Sequence, residues 1–195
     1  MNHRIEEHAL GLSWVIDEVM ARASHALHDG SRVWLIDPVD VPAAIDRAAA
    51  LGEPQAVIQL LDRHNRDCAA VAQLLGVPHL RLPDAIADSP FEIVNVIDVT
   101  RWREFALWWP ERKALVVSEA VGSGRYFALA DGPAGIHPFL RVKPPGAPKR
   151  FAPEHLLFGH GPGVHGPAAA VALRDAYARS RRDIPTFIRR LPTFR

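Results

Sequence analysis

Between residues 31 and 81 the chain alternates strand, helix, strand, helix and strand, and no other feature of the sequence limits its fold as much. "SRVWLIDPVD" (31–40) is a β-branched and aromatic run closed by Asp-Pro, so it predicts a strand that leaves an acidic turn at its end. "DVPAAIDRAAALG" follows, with Asp40 as helix N-cap, Pro42 in the first turn and Gly52 as the stop. "QAVIQLL" (55–61) is a short, continuous apolar run, the pattern of a strand buried on both faces. A second helix, "AAVAQLLG", stops at Gly76, and "VPHLRL" is the third strand. This order predicts a layered α/β domain in which ligand chemistry gathers at the carboxyl ends of the strands.

The flanking sequence adds antiparallel strands. "LSWVIDEV" and "ARASHAL" precede the alternating unit, while "EIVNVIDV", "EFALWW" and "KALVVSEA" follow it, the last two joined by a turn at "PERK" (110–113). Residues 122 to 153 are rich in Pro and Gly and predict a long surface loop with one short element. "EHLLFGHGPGVHG" reads as a strand and a glycine turn, and "PAAAVALRDAYARSRR" as an amphipathic helix with Pro167 in its first turn. With 195 residues, 48% of them apolar, one core can be filled, so residues 1–182 are expected to form a single domain and 183–195 a basic tail.

Charge and cysteine usage exclude several function classes. The net charge of +1 sets up no field toward nucleic acid, and Arg181, Arg182, Arg189, Arg190 and Arg195 near the end are read as solvated. No nucleic-acid partner is expected. No run approaches the roughly 18 apolar residues of a membrane span, and "MNHRIEEHALG" is too polar for a signal peptide, so a cytoplasmic protein with no membrane contact is expected. Cys68 is the only cysteine, which rules out an internal disulfide and thiolate zinc clusters. Its place at a helix start beside Arg66 and Asp67 suits a lowered thiol pKa; the competing role is that of a small buried residue.

The chemistry gathers at the end of the buried strand. "LLDRHNRDC" delivers Asp62, Arg63, His64, Arg66 and Asp67 just ahead of an alanine-rich helix. His25, His28, His155 and His165 are further imidazoles that could be recruited, while His79 and His137 sit beside prolines without evident pairing. Trp102, Trp108 and Trp109 cluster in the predicted hairpin, one or two of them as core.

In order and spacing these segments resemble the metallo-β-lactamase fold superfamily, from about Leu27 to about Arg182. "DGSRVWLIDPVD" resembles its first strand pair, "DRHNRD" occupies the place of its H-x-H-x-D-H motif, "WWPERKALVVSEAVG" is similar to its "WPE…GDA" segment, and "LLFGHGPGVHGPAAAVALR" to its closing "GHGP" segment. The resemblance implies a four-layer αββα sandwich with two zinc or iron ions and a bridging hydroxide at one edge of the sheets. It places the family's ligands on Asp62, His64 and Thr100 for the first ion and on Arg66, Asp67 and His160 for the second, with Glu119 between them. Only His64 and His160 keep the family's residue.

Arg66 is the deciding departure. A guanidinium has five donors and no lone pair, so it cannot bind an ion and repels one nearby. The expectation is therefore a cleft of Asp62, His64, Arg66, Asp67, Glu119 and His160 without a two-metal centre. In it Arg66 stands in for the metal inside an acidic cage of Asp62, Asp67 and Glu119, with His64 and His160 as walls. Such a chain would bind a small molecule or a protein there and need no cofactor. The alternative is a mononuclear hydrolase of an ester, thioester or phosphoester, with at most one zinc, manganese or iron ion on Asp62, His64, Glu119 and His160.

Overall fold

The computed structural model describes residues 2–64, 66–129 and 132–194. Its first sheet has six strands in sequential order: β1 (His3–His8), β2 (Gly11–Ile16), β3 (Ala23–His28), β4 (Arg32–Ile36), β5 (Glu53–Gln59) and β6 (His79–Arg81). The first four run antiparallel, whereas β4, β5 and β6 are parallel. Their crossovers are α1 (Pro42–Ala49) and α2 (Cys68–Leu75). The alternating unit read from the sequence is thus in place. The strand β1 was not anticipated: its alternating polar residues hide a strand that is paired on one side only.

The second sheet contains β7 (Glu92–Val99), β8 (Trp102–Trp109), β9 (Ala114–Val117), β12 (His155–Phe158) and β13 (Val164–His165), in the order β13-β12-β9-β8-β7. The long loop holds a two-stranded ribbon, β10 (Val121–Gly122) with β11 (Gly135–Ile136), and short 3-10 turns rather than one element. Helix α3 (Ala168–Arg179) covers the outer face of this sheet with Ala169, Ala172, Leu173 and Ala176, the i, i+3, i+4, i+7 spacing of one helix face.

Three apolar clusters make the layers. One lies between α1, α2 and the first sheet, around Trp14, Leu35, Ile45 and Val71. A second lies between the sheets, around Trp34, Ile58, Leu107, Trp109 and Leu157. The third lies between the second sheet and α3. The architecture is αββα, and the middle cluster explains why β5 reads as apolar on both faces.

Helix ends differ in detail from the sequence pattern. Helix α1 is capped by Val41, not Asp40, because Pro42 occupies its first position and fixes the entry. Its C-cap is Ala50, ahead of Gly52. Gly76 does close α2, in the left-handed conformation that favours glycine. Pro167 is the N-cap of α3. The basic end is not a free tail over its described length. Helix α4 (Ile184–Arg190) buries Phe187, which packs on Tyr126 and under the Arg141 guanidinium; Arg195 lies outside the described residues. No helix among the described residues is long and apolar enough to cross a membrane.

Candidate functional site

The carboxyl ends of β4, β5, β9 and β12 meet at one edge of the two sheets, and each delivers a polar group there. From β4 comes Asp37, 2% exposed, with φ of 45°, a left-handed conformation that Asp tolerates better than most residues. Its Oδ1 accepts the Leu60 N–H (3.2 Å), and its Oδ2 accepts the Ser118 hydroxyl (2.7 Å) and lies 3.1 Å from His64 Nδ1. Burial works to raise the Asp37 pKa, but His64, the Arg66 charge and the Ser118 hydrogen bond outweigh it, so the carboxylate stays below its usual range.

These contacts fix the histidine tautomers. A carboxylate can only accept, so His64 carries its proton on Nδ1 and has a bare lone pair on Nε2. His160 Nδ1 lies 2.9 Å from the Met20 carbonyl, which likewise fixes Nδ1–H. Both Nε2 atoms are buried without a hydrogen-bond partner among the described residues, and the two rings meet edge to face at 5.4 Å. Burial, then the Arg66 charge, holds both imidazoles neutral well below the usual histidine range. Asp37, His64 and Ser118 do not form a nucleophilic triad, because Ser118 Oγ sits beside Nδ1 (3.1 Å) rather than Nε2.

Arg66 points inward, but not into an acidic cage. Its Nη1 donates to the carbonyls of Ala23 and Asp37 (3.0 Å to the latter), and its Nη2 donates to that of Gly159 (2.6 Å). Since Ala23 and Asp37 belong to the first sheet's strand ends and Gly159 follows β12, the guanidinium ties the two sheets together at their open edge. Gly159 is required there: a Cβ would lie 2.1 Å from the Ser118 carbonyl and 3.1 Å from His64.

The other expected members have different partners. Asp62 turns to β8, where Oδ2 accepts the Arg103 N–H (3.0 Å), and Asp67 accepts the Asp40 N–H (2.8 Å). Thr100 is exposed in the β7–β8 turn. Glu119 stands 3.4 Å from Arg63 Nη2 and 3.5 Å from His137 Nε2. The acidic cage is therefore replaced: local backbone amides take two of its carboxylates, and strand-end carbonyls take its guanidinium. Burial raises the Cys68 thiol pKa rather than lowering it, as for a small core residue.

Four groups at this edge were not drawn from the sequence. Asp37 and Ser118 are two of them, and the Asp-Pro closing β4 was their available signal. His137, 5% exposed, packs against Trp102 and Phe127 and faces Glu119, although its loop context suggested no pairing. Glu104 is fully buried; its Oε1 accepts the N–H groups of Glu119 (2.8 Å) and Ala120 (2.9 Å), and burial pushes its pKa up to about 7. Arg63 stacks over Trp102 at 4.0 Å, which gives that half-buried tryptophan a role at the site. Open space lies alongside: a cavity of about 550 Å³ is walled by Val15, Ile16, Glu18, Ser123, Gly124 and Pro162, and not by the cluster's own side chains.

No family model and no curated protein matches the sequence. Solved structures do match its fold. A diflavin flavoprotein fragment from Nostoc sp. PCC 7120 superposes with a TM-score of 0.61 at 13% identity, over 96% of this chain and 98% of the other. The metallo-β-lactamase FIM-1 from Pseudomonas aeruginosa, in a mono-zinc form, gives 0.58 at 13% identity over 93% and 97%. TTHA1623 in a di-iron-bound form gives 0.53 at 16% identity over 83% and 94%. The chain has the metallo-β-lactamase fold.

Two of those solved structures are described with bound metal, one in a di-iron-bound form and one in a mono-zinc form. The residues of this chain do not fit a pair of divalent ions. Arg66 fills the edge with a positive charge, Asp62 Oδ2 and Asp67 Oδ2 accept backbone N–H groups while Asp62 Oδ1 is buried without a hydrogen-bond partner among the described residues, and Thr100 faces solvent. Among the described residues, no group of three or more His, Cys, Asp or Glu side chains is arranged to hold an ion.

Proposed function

We propose that this chain is a divergent member of the metallo-β-lactamase superfamily that has lost the two-metal hydrolase centre and acts by binding a small molecule or a protein at the same sheet edge. The observation that carries this reading is the Arg66 guanidinium held by the carbonyls of Ala23, Asp37 and Gly159. Placing two dications beside it would cost several kcal/mol in repulsion at this depth. A small ligand has space in the adjoining 550 Å³ cavity, whose wall at Ser123 and Gly124 hydrogen-bonds the His160 carbonyl (2.9 and 3.1 Å). Elemental analysis of protein purified without chelator is the test. Less than one equivalent of zinc, iron and manganese combined is expected, and about two equivalents would refute the reading.

One observation favours a second reading, a single-ion centre with hydrolase activity. His64 and His160 both present a buried Nε2 lone pair while Nδ1–H is held by an oxygen, the arrangement that orients metal-bound imidazoles. This reading predicts hydrolysis of an ester, thioester or phosphoester that chelator abolishes, that zinc or manganese restores, and that the His64→Ala, His160→Ala double variant lacks. It is wrong if the double variant keeps the activity.

A further inference from the structure

At the other end of β12 a separate group of imidazoles comes together. Strands β12 and β13 pair antiparallel with His155 directly opposite His165, and the two Nδ1 atoms are 2.8 Å apart. His165 is exposed, so the pair is open to solvent. The His8 ring on β1 lies 4.9 Å from that of His165. His8 is not available as a ligand: its Nδ1 accepts the Leu10 N–H (3.3 Å), which directs its Nε2–H to Ser13 Oγ (2.9 Å). Ser13 in turn donates to His25 Nδ1 (2.7 Å), and His25 Nε2–H to the Phe158 carbonyl (2.8 Å). His8 is therefore a fixed wall, while the Nδ1 atoms of His155 and His165 face each other. Burial, followed for His165 by the facing His155, lowers both pKa values.

The spacing brings both nitrogens within reach of one ion. With metal–nitrogen bonds of about 2.0–2.1 Å, two nitrogens at a right angle are about 2.8–3.0 Å apart, whereas tetrahedral ligands are about 3.3–3.4 Å apart. The observed 2.8 Å is the length of the hydrogen bond between the rings; it shows that the cross-strand pairing brings the two Nδ1 atoms within the span that one ion with neighbouring ligands bridges, and among first-row divalent ions an imidazole pair binds copper(II) most tightly. We propose that His155 and His165 form a surface site that chelates copper(II), and more weakly nickel(II), through their two Nδ1 atoms, with water completing the shell. The proton now shared between the Nδ1 atoms moves through solvent to Nε2 of the same ring, so both rings stay neutral and no proton is lost overall.

The test uses the full chain without a histidine tag and with His3→Asn, which removes a competing imidazole near the amino terminus. Copper(II) chloride is titrated at pH 7 by calorimetry, and the one-equivalent sample is measured by electron paramagnetic resonance. An axial spectrum with hyperfine splitting from two nitrogens is expected, with binding order copper, nickel, zinc. His155→Asn and His165→Asn should each weaken binding by about tenfold or more, while His79→Asn, whose ring bonds Gln59 on the other sheet, leaves it unchanged. Parent affinity in His165→Asn, loss of binding in His79→Asn, a nitrogen count other than two in the parent, or zinc binding tighter than copper would each overturn the proposal.

Discussion

Replacing Arg66 with methionine keeps most of the aliphatic stem and removes the guanidinium that joins Ala23, Asp37 and Gly159. A hydrogen bond from a charged donor contributes about 1.5–3 kcal/mol. The Gly159 carbonyl keeps a second donor, the Ala23 N–H at 2.8 Å, so its loss is the smallest of the three. Asp37 loses more, because a buried carboxylate also loses a neighbouring cation. The combined cost is about 3–5 kcal/mol, which for a domain of this size lowers the melting temperature by roughly 10 °C. Scanning calorimetry at pH 7, with urea unfolding as a second measure, reads this directly. Arg66→Lys should fall between parent and Arg66→Met, because one ammonium cannot span carbonyls on two sheets. If Arg66→Met stays within about 1 kcal/mol of the parent, or Arg66→Lys matches the parent, the guanidinium is not a clamp.

Three other outcomes follow from the same geometry. Gly159→Ala puts a Cβ against the Ser118 carbonyl and His64, and should cost about 3 kcal/mol in urea unfolding; an unchanged midpoint would show that the edge yields freely. Acid should destabilise the protein: the folded chain holds His25 and His137 at about 4 and His8 at about 3, while the unfolded chain takes up protons below about 6.5. Stability is therefore complete above pH 6.5 and lost as pH falls toward 4, by up to about 3 kcal/mol for His25 alone, and a flat urea midpoint from pH 7 to 4.5 would contradict this. Glu104 has the opposite sign, since its folded pKa of about 7 lies above the ordinary value and its cost grows as pH rises from 4.5 to 7. Glu104→Gln should thus gain stability over the parent at pH 8 compared with pH 5; an equal difference at both would refute it.

The sequence made the layers legible because their periodicities are local. The parallel β4, β5 and β6 unit, the hairpin at Pro110–Arg112 and the alanine face of α3 each follow from residues close together in the chain. The strand β1 escaped because an edge strand buries little, and "HRIEEH" alternates without an apolar face. At the site, Arg66 was legible in "DRHNRD" as the residue that cannot be a ligand, but its direction and its partners were not. They are main-chain carbonyls of Ala23, Asp37 and Gly159, brought together only by the packing of the two sheets, and no side-chain pattern encodes them. Asp62 and Asp67 were misassigned for the same reason. Sequence order shows a carboxylate near a site, while the closest unpaired amide decides where it points, here Arg103 and Asp40. His137 and Glu104 come from segments far from the motif in sequence, and their burial depends on the tertiary fold.

The most direct test of the central claim is an experimental crystal structure from protein grown with excess zinc, with anomalous difference maps at the zinc edge. Arg66 is predicted to remain on the Ala23, Asp37 and Gly159 carbonyls, with no pair of ions between His64 and His160. Two anomalous peaks about 3.5–4 Å apart at this edge, with Arg66 turned out to solvent, would contradict the account.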